Sequence, residues 1–211
     1  MRQALIIVDV QNDFCPNGAL AVPKGDEVVP VANFLLERFE CSVLTQDWHP
    51  AGHCSFASTY AKAPYSPDES TDPPGVLWPD HCVAGSKGAD FHPGLATARA
   101  NLILRKGTRQ SLDSYSAFFE NDGFTSTGLH GWLGCLGVEG LVIIGLATDY
   151  CVKATALDAR RLGYATYIVL EGIRGVEAAA GDMDRALALM ESRGIRVLPL
   201  SRLELPGEAA K

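Results

Sequence analysis

What this sequence lacks narrows the field first. Its 211 residues carry 18 Lys+Arg against 25 Asp+Glu, a formal net charge of -7, so it has no positive footprint of the kind a nucleic-acid backbone requires. No apolar run approaches the ~18–20 residues that span a bilayer, which excludes a membrane helix. The apolar stretch behind Arg2 stops at Asp9 without a small-residue cleavage site, so no signal peptide is expected and the cytoplasm is the expected compartment. None of the glycine-rich snippets has phosphate-loop or dinucleotide spacing, which weighs against a nucleotide cofactor. Only 20% of residues are charged and 47% are hydrophobic, a balance that argues against intrinsic disorder. The six cysteines (Cys15, Cys41, Cys54, Cys82, Cys135 and Cys151) include no CxxC pair and no regular spacing. In a reducing compartment they are expected to be free thiols, mostly buried as small hydrophobes. What remains is a globular chain, long enough to bury a core as one domain over residues 1–211.

Short runs rich in Val, Ile and Leu alternate with segments of helical period. ALIIVDV (4–10), CSVLTQDW (41–48), ANLILRKG (100–107), GLVIIGLA (140–147), ATYIVLEG (165–172) and IRVLPL (195–200) read as strands. Their near-continuous apolar character fits strands covered on both faces of a parallel sheet. Helices are expected from Val28 to Phe39, over 128–137, over 148–163 and within 178–193, with Thr148 as an N-cap and Gly163 closing the third. The tail ELPGEAAK reads as frayed. Between His49 and Pro93 lies an excursion with most of the chain's 12 prolines and little periodicity, and loops of that length inside a compact domain are usually functional. The pattern predicts a three-layer α/β/α domain around a six-stranded, mostly parallel sheet of Rossmann-like kind.

In such sheets ligands sit beyond the carboxyl ends of the strands. Asp9, Asp47, His49, Lys106, Ala147 and Cys151 fall there. Cys151 opens the helix after the most hydrophobic strand, where the helix dipole favours thiolate and free N–H groups can receive an oxyanion; otherwise it is a core cysteine of an amphipathic helix. Asp9 is either a solvated strand-end residue or a partly desolvated base with a raised pKa. Lys106 beside it forms an ion pair, or, with a thiol as third member, stabilises thiolate. Asp47 and His49, two apart at a strand end, project to one side and suit a divalent metal, with His53 and His81 in the same excursion. The bland alternative is exposed loop histidines. Phe14, Trp78 and Tyr115 sit in three loops that, if they converge, make a slot for a flat ring; otherwise they only pack.

Five stretches carry a resemblance covering essentially the whole chain: ALIIVDVQNDFCPNGALAV (4–22), TQDWHPAGHCSF (45–56), WPDHCVAGSKGADFH (78–92), RKGTRQSLDSYSAFF (105–119) and GLATDYCVKATALDA (145–159). They resemble the nicotinamidase/pyrazinamidase branch of the isochorismatase-like cysteine hydrolases. The resemblance implies Asp9, Lys106 and Cys151 as catalytic triad. It implies Asp47, His49 and His81 as ligands of one divalent metal, zinc first with iron or manganese as alternatives. His53 matches a histidine that is a ligand in some members and lies near the metal in others. Phe14, Trp78 and Tyr115 match residues flanking a pyridine ring, and a cis bond at Leu146–Ala147 is implied, with the Ala147 and Cys151 N–H groups as oxyanion hole. The implied reaction is deamidation of nicotinamide, and of pyrazinamide, through a cysteine thioester in NAD salvage. Two rivals stand beside this reading: a relative acting on isochorismate or an N-carbamoyl amine, which lacks the Asp/His/His set, and a non-catalytic thiol protein, which predicts a damaged triad. The sequence does not choose between monomer and homo-oligomer.

Overall fold

The structure, a computed structural model, describes residues 1–69 and 75–206. Six strands, β1 (Gln3–Val8), β2 (Ser42–Asp47), β3 (Leu102–Lys106), β4 (Gly140–Leu146), β5 (Ala165–Arg174) and β6 (Arg196–Leu198), form one sheet in the order β3-β2-β1-β4-β5-β6. Every neighbouring pair is parallel, so the expected mostly parallel sheet is wholly so. The chain winds outward from β1 in one direction and from β4 in the other. The switch point therefore lies between β1 and β4, where open α/β sheets bind their ligands.

Strand alternation sorts the core into two layers. Leu5, Ile7, Leu44, Val142, Ile144 and Val169 face α1 (Val28–Leu36). Ala4, Ile6, Val8, Val43, Leu141, Ile143 and Ile168 face α2 (Leu129–Cys135), α3 (Lys153–Arg161) and α4 (Asp182–Ser192). All seven residues of β4 are buried, as expected of a central strand covered on both faces; truncating one such Ile to Ala costs about 2–5 kcal/mol.

The strand ends differ from expectation where the site begins. β1 stops at Val8, and Asp9 takes a left-handed φ of 49°, unusual for a residue other than glycine and worth about 1–3 kcal/mol of strain. Gly145 (φ 116°) lies against the same turn, where a Cβ would stand 2.1 Å from the Val8 carbonyl oxygen, so only glycine permits this approach of β4 to β1. Thr148 is not an N-cap. The chain leaves β4 through Ala147 into a π-helical turn, Thr148–Val152, and α3 begins only at Lys153. The Thr148 side chain is buried and its Oγ1 has no hydrogen-bond partner among the described residues. The excursion holds a 3-10 turn at Ala57–Tyr60 and a small antiparallel pair, Pro67–Asp68 with Gly75–Val76, neither of which the sequence announced. Of the tail read as frayed, residues 207–211 lie outside the described residues.

Candidate active site

Four of the six parallel strands, β1 to β4, lead to a reactive side chain at or just beyond the carboxyl end, and the parallel register brings these ends side by side. Lys106, last in β3, pairs across the ladder with Asp47, last in β2; its neighbour Arg105 points to the other face and stacks on Trp48, 3.7 Å from the ring centroid. Gln11 fixes Asp47 to the loop after β1, its amide accepting from the Asp47 N–H at 2.8 Å and donating to the Asp47 carbonyl at 2.8 Å.

The Lys106 ammonium is the hub. Its three protons have three hydrogen-bond acceptors: Asp47 Oδ1 at 2.7 Å, the Ser114 carbonyl at 2.9 Å and Cys151 Sγ at 3.4 Å. Asp9 Oδ2 lies 2.9 Å from Nζ but out of hydrogen-bond alignment, and it is otherwise unpartnered among the described residues. Asp9 Oδ1 accepts from the Thr45 hydroxyl at 2.6 Å, while the Asp9 N–H donates back to Thr45 Oγ1. Lys106, Asp9 and Cys151 are at most 6% exposed.

Two carboxylates share this one ammonium, and their surroundings separate them. Burial pushes Asp9 up, opposed by Lys106 and reinforced by the negative charge of Asp47. Burial acts on Asp47 too, but Lys106 and His49 outweigh it and hold its carboxyl well below the usual range. Paired groups driven apart in this way suit opposite duties, one carrying a proton and the other remaining an anion. The thiol departs from expectation. Burial, with Asp9 and Asp47, outweighs Lys106 and holds Cys151 well above an ordinary cysteine. A nucleophile with a raised pKa needs a base to take its proton as it attacks, and Asp9 Oδ2 is the carboxylate oxygen in the cluster with no hydrogen bond.

Beside the hub, Asp47, His49 and His81 place one ligand atom each within 4.8 Å of the others, all buried. His49 Nδ1 faces the Gly107 carbonyl at 2.9 Å and His81 Nδ1 the Pro79 carbonyl at 2.8 Å. A carbonyl only accepts, so both rings carry a proton on Nδ1 and turn Nε2 toward Asp47 Oδ2, at 3.1 and 3.7 Å. One carboxylate oxygen and two imidazole nitrogens with backbone-fixed tautomers fit a divalent cation, and three protein ligands leave positions open. Burial works against charging His49, yet Asp47 prevails and lifts it to about 9. His53 does not join this set: it stacks on His49 at 4.0 Å between ring centroids, turns Nδ1 to Ser55 Oγ at 2.8 Å, and falls with His49 and Asp113 in a second grouping.

Over both clusters opens a narrow pocket lined by Phe14, Trp78, Tyr115, Ala147 and Cys151 together with Asp47 and His81. The three loop aromatics therefore do converge, and the Trp78 indole N–H donates to the Tyr115 hydroxyl at 3.2 Å. The Leu146–Ala147 bond is cis. Leu20, Tyr150 and Val176 complete the lining and escaped the sequence reading. Tyr150 adjoins Cys151 and Leu20 lies in the first motif, so both had a signal; Val176, in a loop after β5, had none. Wider surface depressions between loops 12–18 and 87–93, and between α3 and α4, touch neither Cys151 nor His49, His53 and His81.

Comparison with known proteins places this geometry. The isochorismatase domain matches residues 3–200. The nicotinamidase of Escherichia coli K12 is 45% identical over 206 residues, 96% of this chain and 97% of that protein. An Acinetobacter baumanii nicotinamidase/pyrazinamidase structure superposes with a TM-score of 0.92 at 42% identity, covering 96% of this chain and 98% of that one. The pyrazinamidase of Pyrococcus horikoshii, solved in complex with zinc, gives 0.77 at 37% identity over 95% and 100%. With residues 3–200 matched and relatives 42–45% identical over 96% of the chain, the chain belongs to the isochorismatase family.

Proposed function

We propose that this protein deamidates nicotinamide to nicotinate and ammonia, and pyrazinamide likewise, through a thioester on Cys151. The observation that carries this is the splitting of two buried carboxylates across one ammonium, with Asp9 poised as a base and Asp47 fixed as an anion facing two histidines. The names of the relatives support the substrate, and the aromatic lining supports a flat ring.

In the first half-reaction the Cys151 S–H proton passes to Asp9 Oδ2 while sulfur attacks the carboxamide carbon. Lys106, in contact with both groups, favours the anionic sulfur. The Ala147 and Cys151 N–H groups hold the oxygen of the tetrahedral adduct; losing one such donor costs about 2.7–4 kcal/mol of barrier. Asp9 then hands its proton to the departing nitrogen, the C–N bond breaks and ammonia leaves. In the second half-reaction Asp9 takes a proton from water as its oxygen attacks the thioester carbon, the C–S bond breaks, and the proton returns to sulfur. Phe14, Trp78 and Tyr115 hold the ring. Asp47, His49 and His81 would hold one divalent cation, which we assign as zinc on the donor set and the Pyrococcus horikoshii relative, with iron and manganese fitting the same ligands. When bound, that ion supplies an electrophilic anchor for the ring nitrogen and positive charge beside the thiol. We further read residues 1–211 as one hydrolase domain whose excursion at 49–93 holds the metal, acting in cytoplasmic NAD salvage.

Ammonia release from nicotinamide, measured beside the metal content of the same sample, tests the reading. Turnover that Cys151→Ala abolishes with metal retained is expected; no turnover by metal-replete wild type overturns it.

A further inference from the structure

One wall of the pocket has no place in the main-chain ladder. Val176 lies beyond the last β4–β5 pair, Leu146 with Arg174, so its position over the site needs another anchor. That anchor is a single carboxylate. Asp149 Oδ1 accepts the Val176 N–H at 3.0 Å and Oδ2 the Glu177 N–H at 2.8 Å, and Asp149 is 3% exposed. It sits two residues before Cys151 in the same π-helical turn.

The segment is shaped to meet it. Glu177 takes a left-handed φ of 54°, which aims consecutive N–H groups at one acceptor. Its own carboxylate accepts from the Gly181 and Met183 N–H groups at the start of α4. A Cβ on Gly175 would stand 2.1 Å from Met183 Sδ and 3.2 Å from Asp149 Oδ1, so the strand end packs closely against α4 and the anchor here. Nucleophile turn, pocket wall and α4 are thus tied through Asp149.

We propose that Asp149 is a positioning residue that sets how much ring the pocket admits, by fixing Val176 relative to Cys151. This rests on the amide-hydrolase reading for its substrate, but not for its geometry. A carboxylate offers two acceptor oxygens to two adjacent N–H groups; an amide offers one acceptor and turns donors on the other. In Asp149→Asn the wall is expected to loosen while Cys151, Asp9 and Lys106 remain.

Two measurements decide. Amide hydrogen exchange in ligand-free protein, which needs no substrate, should show Val176 and Glu177 exchanging at least about tenfold faster in Asp149→Asn. Kinetics with nicotinamide and with a benzo-fused pyridine carboxamide should show KM for nicotinamide up about tenfold and kcat down less than about threefold. The kcat/KM ratio of fused to simple amide should rise in the same variant. Val176→Ala, which leaves the anchor intact, should raise that ratio too while its Glu177 exchange stays as in wild type. Unchanged exchange at 176–177 in Asp149→Asn overturns the anchor. An unchanged substrate ratio in both variants, with only a lower Tm for Asp149→Asn, overturns the specificity role. Failure of wild type to deamidate nicotinamide would refute the proposed function instead, while the exchange experiment would still judge the anchor.

Discussion

Gly107 follows Lys106, and replacing it with alanine should weaken the proposed metal site without touching any of its proposed ligands. Its φ is +61°, and a Cβ built there stands 2.4 Å from His49 Cε1 and 2.7 Å from His49 Nδ1. Ordinary carbon contacts begin near 3.5 Å, so the ring must retreat by about 1 Å. That exceeds the tolerance of about 0.2 Å on metal–ligand distances. The ring cannot simply slide, because its Nδ1 is tied to the carbonyl of the same Gly107. Left-handed backbone adds about 1–2 kcal/mol against any L-residue. We expect Gly107→Ala to fold with a lower Tm and to bind its divalent ion about 10–100-fold more weakly, the range for losing a ligand's outer support. Metal analysis after dialysis against a graded chelator series reads this directly. Stoichiometric metal retained at wild-type chelator resistance would refute the reasoning.

Further outcomes follow from the same contacts. Lys106→Met leaves Asp9 and Asp47 buried around a missing cation; removing one partner of a buried pair costs about 3–5 kcal/mol, and for a chain of this size calorimetry should show Tm falling by about 6–20 °C. Thr45→Val removes the hydroxyl that donates to Asp9 Oδ1, leaving a buried acceptor unsatisfied at about 1–3 kcal/mol; kcat for ammonia release should fall while metal content holds, and unchanged kcat would show that Asp9 needs no such support. Burial, with Asp113, pushes the Cys54 thiol up to about 11. Because only thiolate alkylates, its fraction should grow tenfold per pH unit below that value, and peptide mapping should show Cys54 labelling still climbing from pH 8 to 10; a plateau near pH 9 would contradict it.

What was legible in the sequence had a local physical signature. Central parallel strands write themselves as apolar runs, so β1, β2 and β4 were readable, and the partly exposed edge strand β3 by its Leu-Ile-Leu run; with them came the strand-end positions of Asp9, Asp47, Lys106 and Cys151. Loop aromatics and histidines were readable as chemistry, and their convergence held for Phe14, Trp78, Tyr115, His49 and His81. His53 shared the same excursion but stacks behind His49, since the path of a proline-rich loop is set by distant partners such as Gln110, whose carbonyl accepts the Cys54 N–H. Thr148 has the residue type of an N-cap, yet the π-helical turn moves the helix start to Lys153, and no periodicity distinguishes one extra residue in a turn. Val176 and its anchor Asp149 are 27 residues apart in a contact made by side chain and loop backbone, which leaves no pattern in either segment. The dipole argument for a thiolate is opposed by burial of Cys151, a property that sequence position does not carry.

The account's central claim is that Cys151 carries the acyl group. Wild-type protein mixed with nicotinamide and acid-quenched within one turnover should yield, by peptide mass spectrometry, a nicotinoyl adduct on Cys151 and on no other cysteine, with one ammonia released per adduct formed. Steady turnover of nicotinamide by a metal-replete Cys151→Ala variant, at a rate near that of wild type, would contradict it.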